Sequence, residues 1–142
     1  MLIILEGLDK TGKTTFAKRF NKAVYLHSDK DTNTISMLDH AIKLSKNKLV
    51  ILDRSFMSEI AYGPVFRKQI RFDKYQLNDM IKKLQEIPHI IFYFNRAISE
   101  CKFEDNEFES NTAKLTHVKY LYNNFIATYK DKLNIYEVKY YG

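Results

Sequence analysis

A glycine-rich stretch near the beginning of the chain has the residue types and spacing of a phosphate-binding loop. Residues 7–14 read Gly-Leu-Asp-Lys-Thr-Gly-Lys-Thr and fit the pattern G-x-x-x-x-G-K-[S/T]. The glycines let the backbone curl so that N–H groups point inward, and the helix that follows adds partial positive charge. We expect Lys13 to reach the β- and γ-phosphates of ATP, and the Thr14 hydroxyl to ligate Mg²⁺. The predicted ATP-binding residues are Gly7, Leu8, Asp9, Lys10, Thr11, Gly12, Lys13, Thr14 and Thr15.

A second polar pair, Asp53 and Arg54, follows the apolar run 49–52. A carboxylate can hold Mg²⁺ directly or through water, and a guanidinium can clamp a phosphate with two parallel hydrogen bonds. Taken alone, the pair could equally be a surface Asp-Arg after a core strand. With the phosphate loop upstream, we predict that Thr14 and Asp53 are metal ligands and that Lys13, Asp53 and Arg54 take part in catalysis.

Apolar runs alternate with helical patterns along the chain, which predicts a parallel α/β sheet. The predicted strands are 2–5, 24–27, 48–52, 89–94 and 135–138, and the predicted helices are 13–22, 35–45, 74–86 and 112–132, with a short one after residue 55. The fold class is a P-loop NTPase-type three-layer sandwich, a five-stranded parallel sheet flanked by helices. Because ligands bind at the carboxyl ends of such strands, residues 7–14, 28–32 and 53–54 are expected at one edge.

Composition predicts one domain, 1–142, without membrane or secretory segments. The apolar fraction is 45% and the charged fraction 28%, no apolar run approaches a membrane span, and Met1 leads directly into a strand. A single cysteine, Cys101, fits a reducing compartment and a cytoplasmic location. The net charge of +6 admits nucleic-acid binding, but the basic residues are dispersed. A lysine-rich surface around an anionic nucleotide site is the favoured interpretation, with small-molecule nucleotides as partners and no nucleic acid or membrane.

The two motifs together resemble those of the thymidylate kinase family, with deoxynucleoside kinases as close relatives. Its signature D-R-[YH]-x-x-S-x-x-A-[YF] is matched at five positions, and Ser55 departs from it. The first motif, with Glu6 in front, resembles the family form E-G-x-D-R-x-G-K-[ST]-T. The five matching positions are Asp53, Arg54, Ser58, Ala61 and Tyr62.

The resemblance implies how an acceptor nucleotide would be held. Asp9 would contact its 3′-hydroxyl, and Arg54 would bind its 5′-phosphate. Tyr62 would pack against the sugar and disfavour a 2′-hydroxyl. Ser58 and Glu59 would lie toward the base, where a carboxylate, being an acceptor only, would favour a base that presents an amino group. Lys30, beside Asp29 after the second strand, is the last expected contact to the acceptor.

The catalytic cation differs from the usual arginine. The family places an arginine either in the phosphate loop or in a mobile lid, and this chain has Lys10 at the loop position. The expected lid, 101–111, is acidic and has no arginine, so it cannot stabilise transition-state charge. We therefore expect Lys10 to act in catalysis, although a lysine lacks the planar fork of arginine. Arg96 and Lys102 are reserve cations that could equally be solvated surface charges.

The part of the site that would hold the base is not recognisable in the sequence. Between residues 32 and 53 there is room for about one helix, whereas the family usually carries there an aromatic residue and an arginine that hold thymine. Met37, His40 and Lys43 are the only candidates in that segment. Aromatic residues on the last long helix fit a core face, and the resemblance implies a helix-mediated homodimer.

The resemblance implies a nucleoside monophosphate kinase. It would transfer the γ-phosphoryl group of ATP·Mg²⁺ to a deoxynucleoside 5′-monophosphate, with dTMP or a related pyrimidine nucleotide as the first candidate. One alternative is a deoxynucleoside kinase in which Asp29 or Asp31 supplies a catalytic carboxylate. Another is a nucleotide-binding regulatory protein that turns over no monophosphate.

Overall fold

Five parallel strands form the centre of the molecule. A computed structural model describes residues 1–9, 11–97 and 105–139, with the side chains of 105–111 left out. The sheet has the order β2-β3-β1-β4-β5, and every pairing is parallel. The strands are β1 (Leu2–Gly7), β2 (Val24–His27), β3 (Val50–Asp53), β4 (His89–Phe94) and β5 (Ile135–Val138). The predicted fold class is therefore confirmed.

Helices connect the strands and cover both faces of the sheet. They are α1 (Lys13–Ala17), α2 (Thr34–Ser45), α3 (Phe56–Tyr62), α4 (Lys74–Gln85) and α5 (Asp105–Tyr129), with a π-helical turn, Gly63–Arg67, directly after α3. Within the described residues, no helix is both long and apolar enough to cross a membrane.

The register of the central strands aligns their carboxyl ends. Leu5 in β1 pairs with Asp53 in β3, and His27 in β2 pairs with the same residue. On the other side of β1, Gly7 pairs with Phe94 at the end of β4. The loops that follow β1, β2 and β3 therefore leave the sheet at one edge, as predicted for the residues after each strand.

Two apolar clusters on opposite faces of the sheet make up the core. Ile4 and Leu52 pack on one face with Leu38 of α2 and Val118 of α5. On the other face, Leu5 belongs to a smaller cluster with α1. All six residues of β1 and all four of β3 are buried, as expected for strands covered on both faces.

Several element boundaries differ from the predictions. Helix α1 ends at Ala17 rather than at residue 22, because the backbone tightens into turns in which Arg19 N–H donates to Phe16 O and Phe20 N–H to Ala17 O. The third strand begins and ends later than predicted, at Val50 and Asp53. Helix α5 begins at Asp105. The first part of the predicted lid, 101–104, lies outside the described residues, and the lid stays a prediction.

The core gives a direct test of stability. Leu52→Ala should lower the free energy of unfolding by about 2–5 kcal/mol, because Leu52 is fully buried and its truncation leaves a cavity. Tyr75→Ala is the control: Tyr75 is 86% exposed, and its removal should change the stability by less than about 0.5 kcal/mol. Urea unfolding followed by circular dichroism measures both, and equal losses in the two variants would contradict the assignment of the core.

Candidate active site

Glycine conformation shapes the loop between β1 and α1. Gly7 has a φ of +131°, and a Cβ added to it would lie 2.6 Å from the carbonyl oxygen of Phe94. Gly12, the N-cap of α1, has a φ of +100°. Both conformations strongly favour glycine, so the two glycines of the motif stand where the backbone needs them.

Lys13 folds back over this loop. Its buried Nζ donates to the carbonyl oxygens of Gly7 (3.2 Å) and Leu8 (2.5 Å) and lies 3.4 Å from the Thr11 hydroxyl. Burial lowers the pKa of Lys13 to about 8, and the positive charge of Arg54 acts in the same direction. The ammonium is therefore held by neutral carbonyl groups at the place where the motif predicts anionic phosphate.

Asp53 ends β3 with its carboxylate buried. One oxygen accepts a hydrogen bond from the Tyr25 hydroxyl (2.5 Å) and lies 3.4 Å from His27 Nδ1. Burial and this hydrogen bond raise the pKa of Tyr25, which keeps the phenol protonated and donating. The other oxygen, Oδ1, is buried without a hydrogen-bond partner in the described part of the chain.

The donor set fits Mg²⁺ bound with a nucleotide. Residues 1–9, 11–97 and 105–139 contain no group of three or more His, Cys, Asp or Glu side chains that could hold a metal by themselves. Mg²⁺ is usually held by one or two protein oxygens together with substrate phosphates and water. The unpartnered Asp53 Oδ1 and the Thr14 hydroxyl, exposed at the start of α1, are suited to that role.

Arg54 joins the two motifs. Its backbone lies in the left-handed region, with a φ of +75°, and its N–H donates to Leu5 O (2.9 Å). Its guanidinium contacts the Asp9 carboxylate at 2.5 Å. Burial alone would raise the pKa of Asp9, but the Arg54 charge and hydrogen bond outweigh it and hold that pKa below its usual value. The guanidinium also lies 5.0 Å from the centre of the Tyr62 ring. The expected juxtaposition of residues 7–14 with the Asp53–Arg54 pair is therefore present.

A buried glutamate supports this arrangement, and the sequence analysis did not identify it as a site residue. Glu6 is fully buried, and Oε1 accepts hydrogen bonds from the backbone N–H (2.5 Å) and the hydroxyl (2.8 Å) of Ser55. Oε2 accepts from Ser58 Oγ (2.6 Å) and from the Tyr122 hydroxyl (2.8 Å). A charged residue at the end of an otherwise apolar, two-face-buried strand was the available signal, because a buried carboxylate needs several partners.

A cleft of about 730 Å³ opens beside Arg54. It is lined by the predicted acceptor residues Asp9, Lys30, Arg54, Ser58, Glu59 and Tyr62, and also by Asp29, Asp31, Phe66, Arg67 and Arg71. Lys10 and Lys102 lie outside the described residues. Met37, His40 and Lys43 are not among the lining residues.

Glu59 does not present its carboxylate to the cleft. Oε2 accepts from Arg67 at 2.7 Å, and Oε1 accepts from Arg71 Nε at 2.8 Å. Burial opposes ionisation, but the hydrogen bonds from Arg71 and Arg67 outweigh it and keep the pKa of Glu59 below its usual value. This pairing differs from the expectation that Glu59 receives an amino group of the base. Neither arginine was identified from the sequence, because a salt bridge eight or twelve residues away in an irregular segment has no simple spacing signal.

Comparisons with known proteins point to nucleotide kinases. No family model matches the chain. A protein of Acidianus bottle-shaped virus (isolate Italy/Pozzuoli) described as "Putative thymidylate kinase" is 35% identical over 88 residues, 53% of this chain and 55% of the relative. The match thus spans only about half the length of that relative.

Solved structures share the fold over nearly the whole chain. The YorR protein of Bacillus subtilis, solved in complex with phosphorylated GDP, has a TM-score of 0.72 at 20% identity and covers 98% of this chain and 85% of its own. Deoxyadenosine kinase of M. mycoides with bound dCTP has a TM-score of 0.60 at 16% identity, covering 98% and 90%. Thymidylate kinase of Ehrlichia chaffeensis has a TM-score of 0.55 at 17% identity, covering 99% and 88%.

The fold is therefore that of the P-loop kinases that act on nucleosides and nucleotides. The resemblance to thymidylate kinases inferred from the motifs is confirmed by the viral relative, and one of the solved structures that share the fold is a thymidylate kinase.

The pKa of Lys13 predicts a proton-linked binding step. Between pH about 8 and 10.5 the free protein holds Lys13 largely neutral, and phosphate anions would restore its charge. ATP binding at pH 8.5 should therefore take up protons, and the affinity should fall as the pH rises above 8. Calorimetry in two buffers of different ionisation enthalpy measures the uptake.

Two variants test whether Lys13 is the group that takes up the proton. Lys13→Arg keeps its charge at every accessible pH and should bind without proton uptake. Lys18→Arg, at an exposed position, should behave like the wild type. Equal uptake by wild type and Lys13→Arg would show that another group titrates.

The Glu6 network predicts a large cost on truncation. Glu6→Ala removes the acceptor of four hydrogen bonds and leaves buried donors from Ser55, Ser58 and Tyr122, so it should cost about 3–5 kcal/mol of unfolding free energy. Asp39→Ala removes an exposed carboxylate paired with Lys83 and should cost less than about 1 kcal/mol. Thermal unfolding distinguishes them; a Glu6→Ala protein as stable as Asp39→Ala would refute a supporting role for Glu6.

Proposed function

We propose that the chain is an ATP-dependent nucleoside monophosphate kinase that phosphorylates a deoxynucleoside 5′-monophosphate. The motif resemblance favours dTMP as the first acceptor to test. The main observation in support of this proposal is the ion pair between Arg54 and Asp9. It holds the Asp53–Arg54 motif against the phosphate loop at the mouth of one cleft.

The donor side of the reaction rests on Lys13 and the loop around it. The ammonium can exchange its carbonyl partners for the β- and γ-phosphates, a stronger charge-assisted interaction. Thr14 and Asp53 would hold Mg²⁺, which neutralises phosphate charge when it is bound with ATP. Lys10 is the proposed cation for the transferring group.

The acceptor side rests on cations that line the cleft. Arg54 is held by contacts to Asp9 and Ser58, so its remaining donors are oriented before an acceptor phosphate arrives. Lys30 lines the same cleft from the loop after β2. Phosphoryl transfer requires mainly positioning and charge stabilisation, which fixed guanidinium and ammonium groups provide. Tyr62 lies beside Arg54, where it would pack against the sugar.

The test is ADP release with a panel of deoxynucleosides and their 5′-monophosphates. Monophosphates should be the acceptors, and Arg54→Lys should lower kcat/KM for dTMP by about 100-fold, since the bidentate fork is lost. The KM for ATP should change much less. Arg19→Lys, outside the residues that line the cleft, is the matched control and should retain wild-type kinetics. Turnover of nucleosides alone would overturn the proposal.

A deoxynucleoside kinase is the second candidate, and the position of Asp29 favours it. Asp29 lines the cleft, and hydrogen bonds from the Asp31 backbone and the Thr32 hydroxyl lower its pKa, so it is ionised at neutral pH. It could accept the proton of a 5′-hydroxyl. If this candidate is correct, Asp29→Asn should abolish nucleoside turnover, whereas a monophosphate kinase should tolerate the change.

A further inference from the structure

We propose that the segment 63–71, together with Glu59, forms the pocket for the acceptor's base and selects oxo bases over amino bases. The favoured acceptors would be 6-oxopurines or 4-oxopyrimidines, and the disfavoured ones their 6-amino and 4-amino counterparts. The inference rests on the proposed function to the extent that the acceptor is a nucleotide or a nucleoside.

The segment reaches the cleft through a tight turn. Lys68, with a φ of +57°, follows the π-helical turn as its C-cap, and Gln69 N–H donates back to Gly63 O at 3.3 Å. A Cβ on Gly63 would lie 2.4 Å from the Gln69 carbonyl oxygen, so the chain can close here only on a glycine. This closure brings Arg67 and Arg71 back onto Glu59 in the preceding helix.

The resulting cluster is one carboxylate between two guanidinium groups. Arg67 contacts one oxygen of Glu59 and Arg71 the other. Arg71 also donates to the carbonyl oxygen of Thr32 at 3.5 Å, which ties the cluster to the loop after β2. The carboxylate therefore serves to orient both arginines.

The exposed fractions of the side chains show that the two arginines, rather than Glu59, are accessible from the cleft. The Glu59 side chain is 1% exposed, whereas those of Arg67 and Arg71 are 27% and 33% exposed. Arg67 Nε is buried and has no hydrogen-bond partner in the described part of the chain. The two arginines thus offer N–H donors to the cleft and hide the Glu59 acceptor between them, and Gln69 of the same segment, which has both a donor and an acceptor, also lines the cleft.

Donor-only groups distinguish bases by their exocyclic substituent. A guanidinium has five N–H donors and no acceptor. An oxo group at position 4 of a pyrimidine or position 6 of a purine can accept from it. An amino group at the same position would place donor against donor and leave both unpaired, which is costly in a desolvated pocket.

An aromatic ring lies beside the arginines, with the Lys114 ammonium 5.5 Å from its centre, and a base that stacks on this ring would have to displace that ammonium. Phe66 stacks against Tyr62 with ring centres 5.8 Å apart, lines the cleft and is 43% exposed. Phe66 would take the place of the aromatic residue that the family usually carries in the segment before β3. The base-binding half of the site would then follow Arg54 in the chain rather than precede it.

Two matched pairs of ligands test the selection. dUMP and dCMP differ in the 4-oxo or 4-amino group and in the adjacent N3, and dIMP and dAMP differ in the 6-oxo or 6-amino group and in the adjacent N1; each of these ring nitrogens is protonated only in the oxo member. Calorimetric titration of the wild-type protein should show the oxo member bound about tenfold more tightly in at least one pair. Equal or tighter binding of the amino members in both pairs would overturn the inference.

Arginine-to-lysine variants connect the selection to the cluster. Arg67→Lys and Arg71→Lys should each reduce the oxo-to-amino ratio toward one, because the fixed fork of donors is lost. Arg19→Lys should keep the wild-type ratio. A wild-type ratio retained in both cleft variants would overturn the assignment to these residues. Because the ratio is taken within one protein, a loss of stability does not alter it, and the wild-type pairs decide on their own if a variant does not fold.

The corresponding nucleosides separate this inference from the proposed function. One outcome is that deoxyuridine and deoxyinosine are preferred over deoxycytidine and deoxyadenosine while no monophosphate is turned over. This result would support the proposed base pocket and refute the proposed monophosphate kinase activity. If monophosphates are turned over without preference in either pair, the proposed function stands and the base pocket fails.

Discussion

A buried carboxylate at the end of the central strand sets the geometry of the candidate active site. Glu6 accepts hydrogen bonds from Ser55, from Ser58 and from Tyr122 of α5. Arg54 lies between these groups, donating to Ser58 and to the Asp9 carboxylate. The position of Arg54, the proposed cation for the acceptor phosphate, therefore depends on the buried Glu6 carboxylate, which a ligand would not contact.

This constraint also accounts for the unusual backbone of Arg54. A non-glycine residue with a φ of +75° costs about 1–3 kcal/mol and persists only where neighbouring contacts hold it. Here the backbone N–H is bonded to Leu5 O and the next residue, Ser55, is anchored to Glu6. The strained residue turns the chain sharply from β3 toward α3, so Arg54 faces the loop of the first motif.

Contacts between residues close together in the sequence were predicted better than contacts between distant residues. The phosphate loop and the strands are encoded within short segments, by glycine spacing and continuous apolar runs, and their positions follow from those segments alone. The proximity of Arg54 to the first motif followed from the rule that loops after neighbouring parallel strands share an edge, whereas its ion pair with Asp9 was not predicted. The contact of Tyr122 with Glu6 spans 116 residues, and the aromatic spacing of α5 indicated a buried face without indicating where the hydroxyl would bond.

The segment after α3 shows a second limit of prediction from the sequence. The family resemblance places the base-binding residues before β3, where the connection is short and Met37, His40 and Lys43 are the only candidates. In the fold, α2 occupies that connection and packs its buried residues against the sheet. The segment 63–71 after α3 instead carries two arginines and an exposed aromatic ring to the cleft. Glu59 holds Arg67 and Arg71 through both of its oxygens. In the proposed base pocket, this one buried carboxylate would orient the N–H donors that meet the base, a role that the family resemblance gives to a longer segment before β3. If the proposed base pocket is correct, the residues that bind the base would follow the Asp53–Arg54 pair in sequence, whereas the family resemblance places them before it.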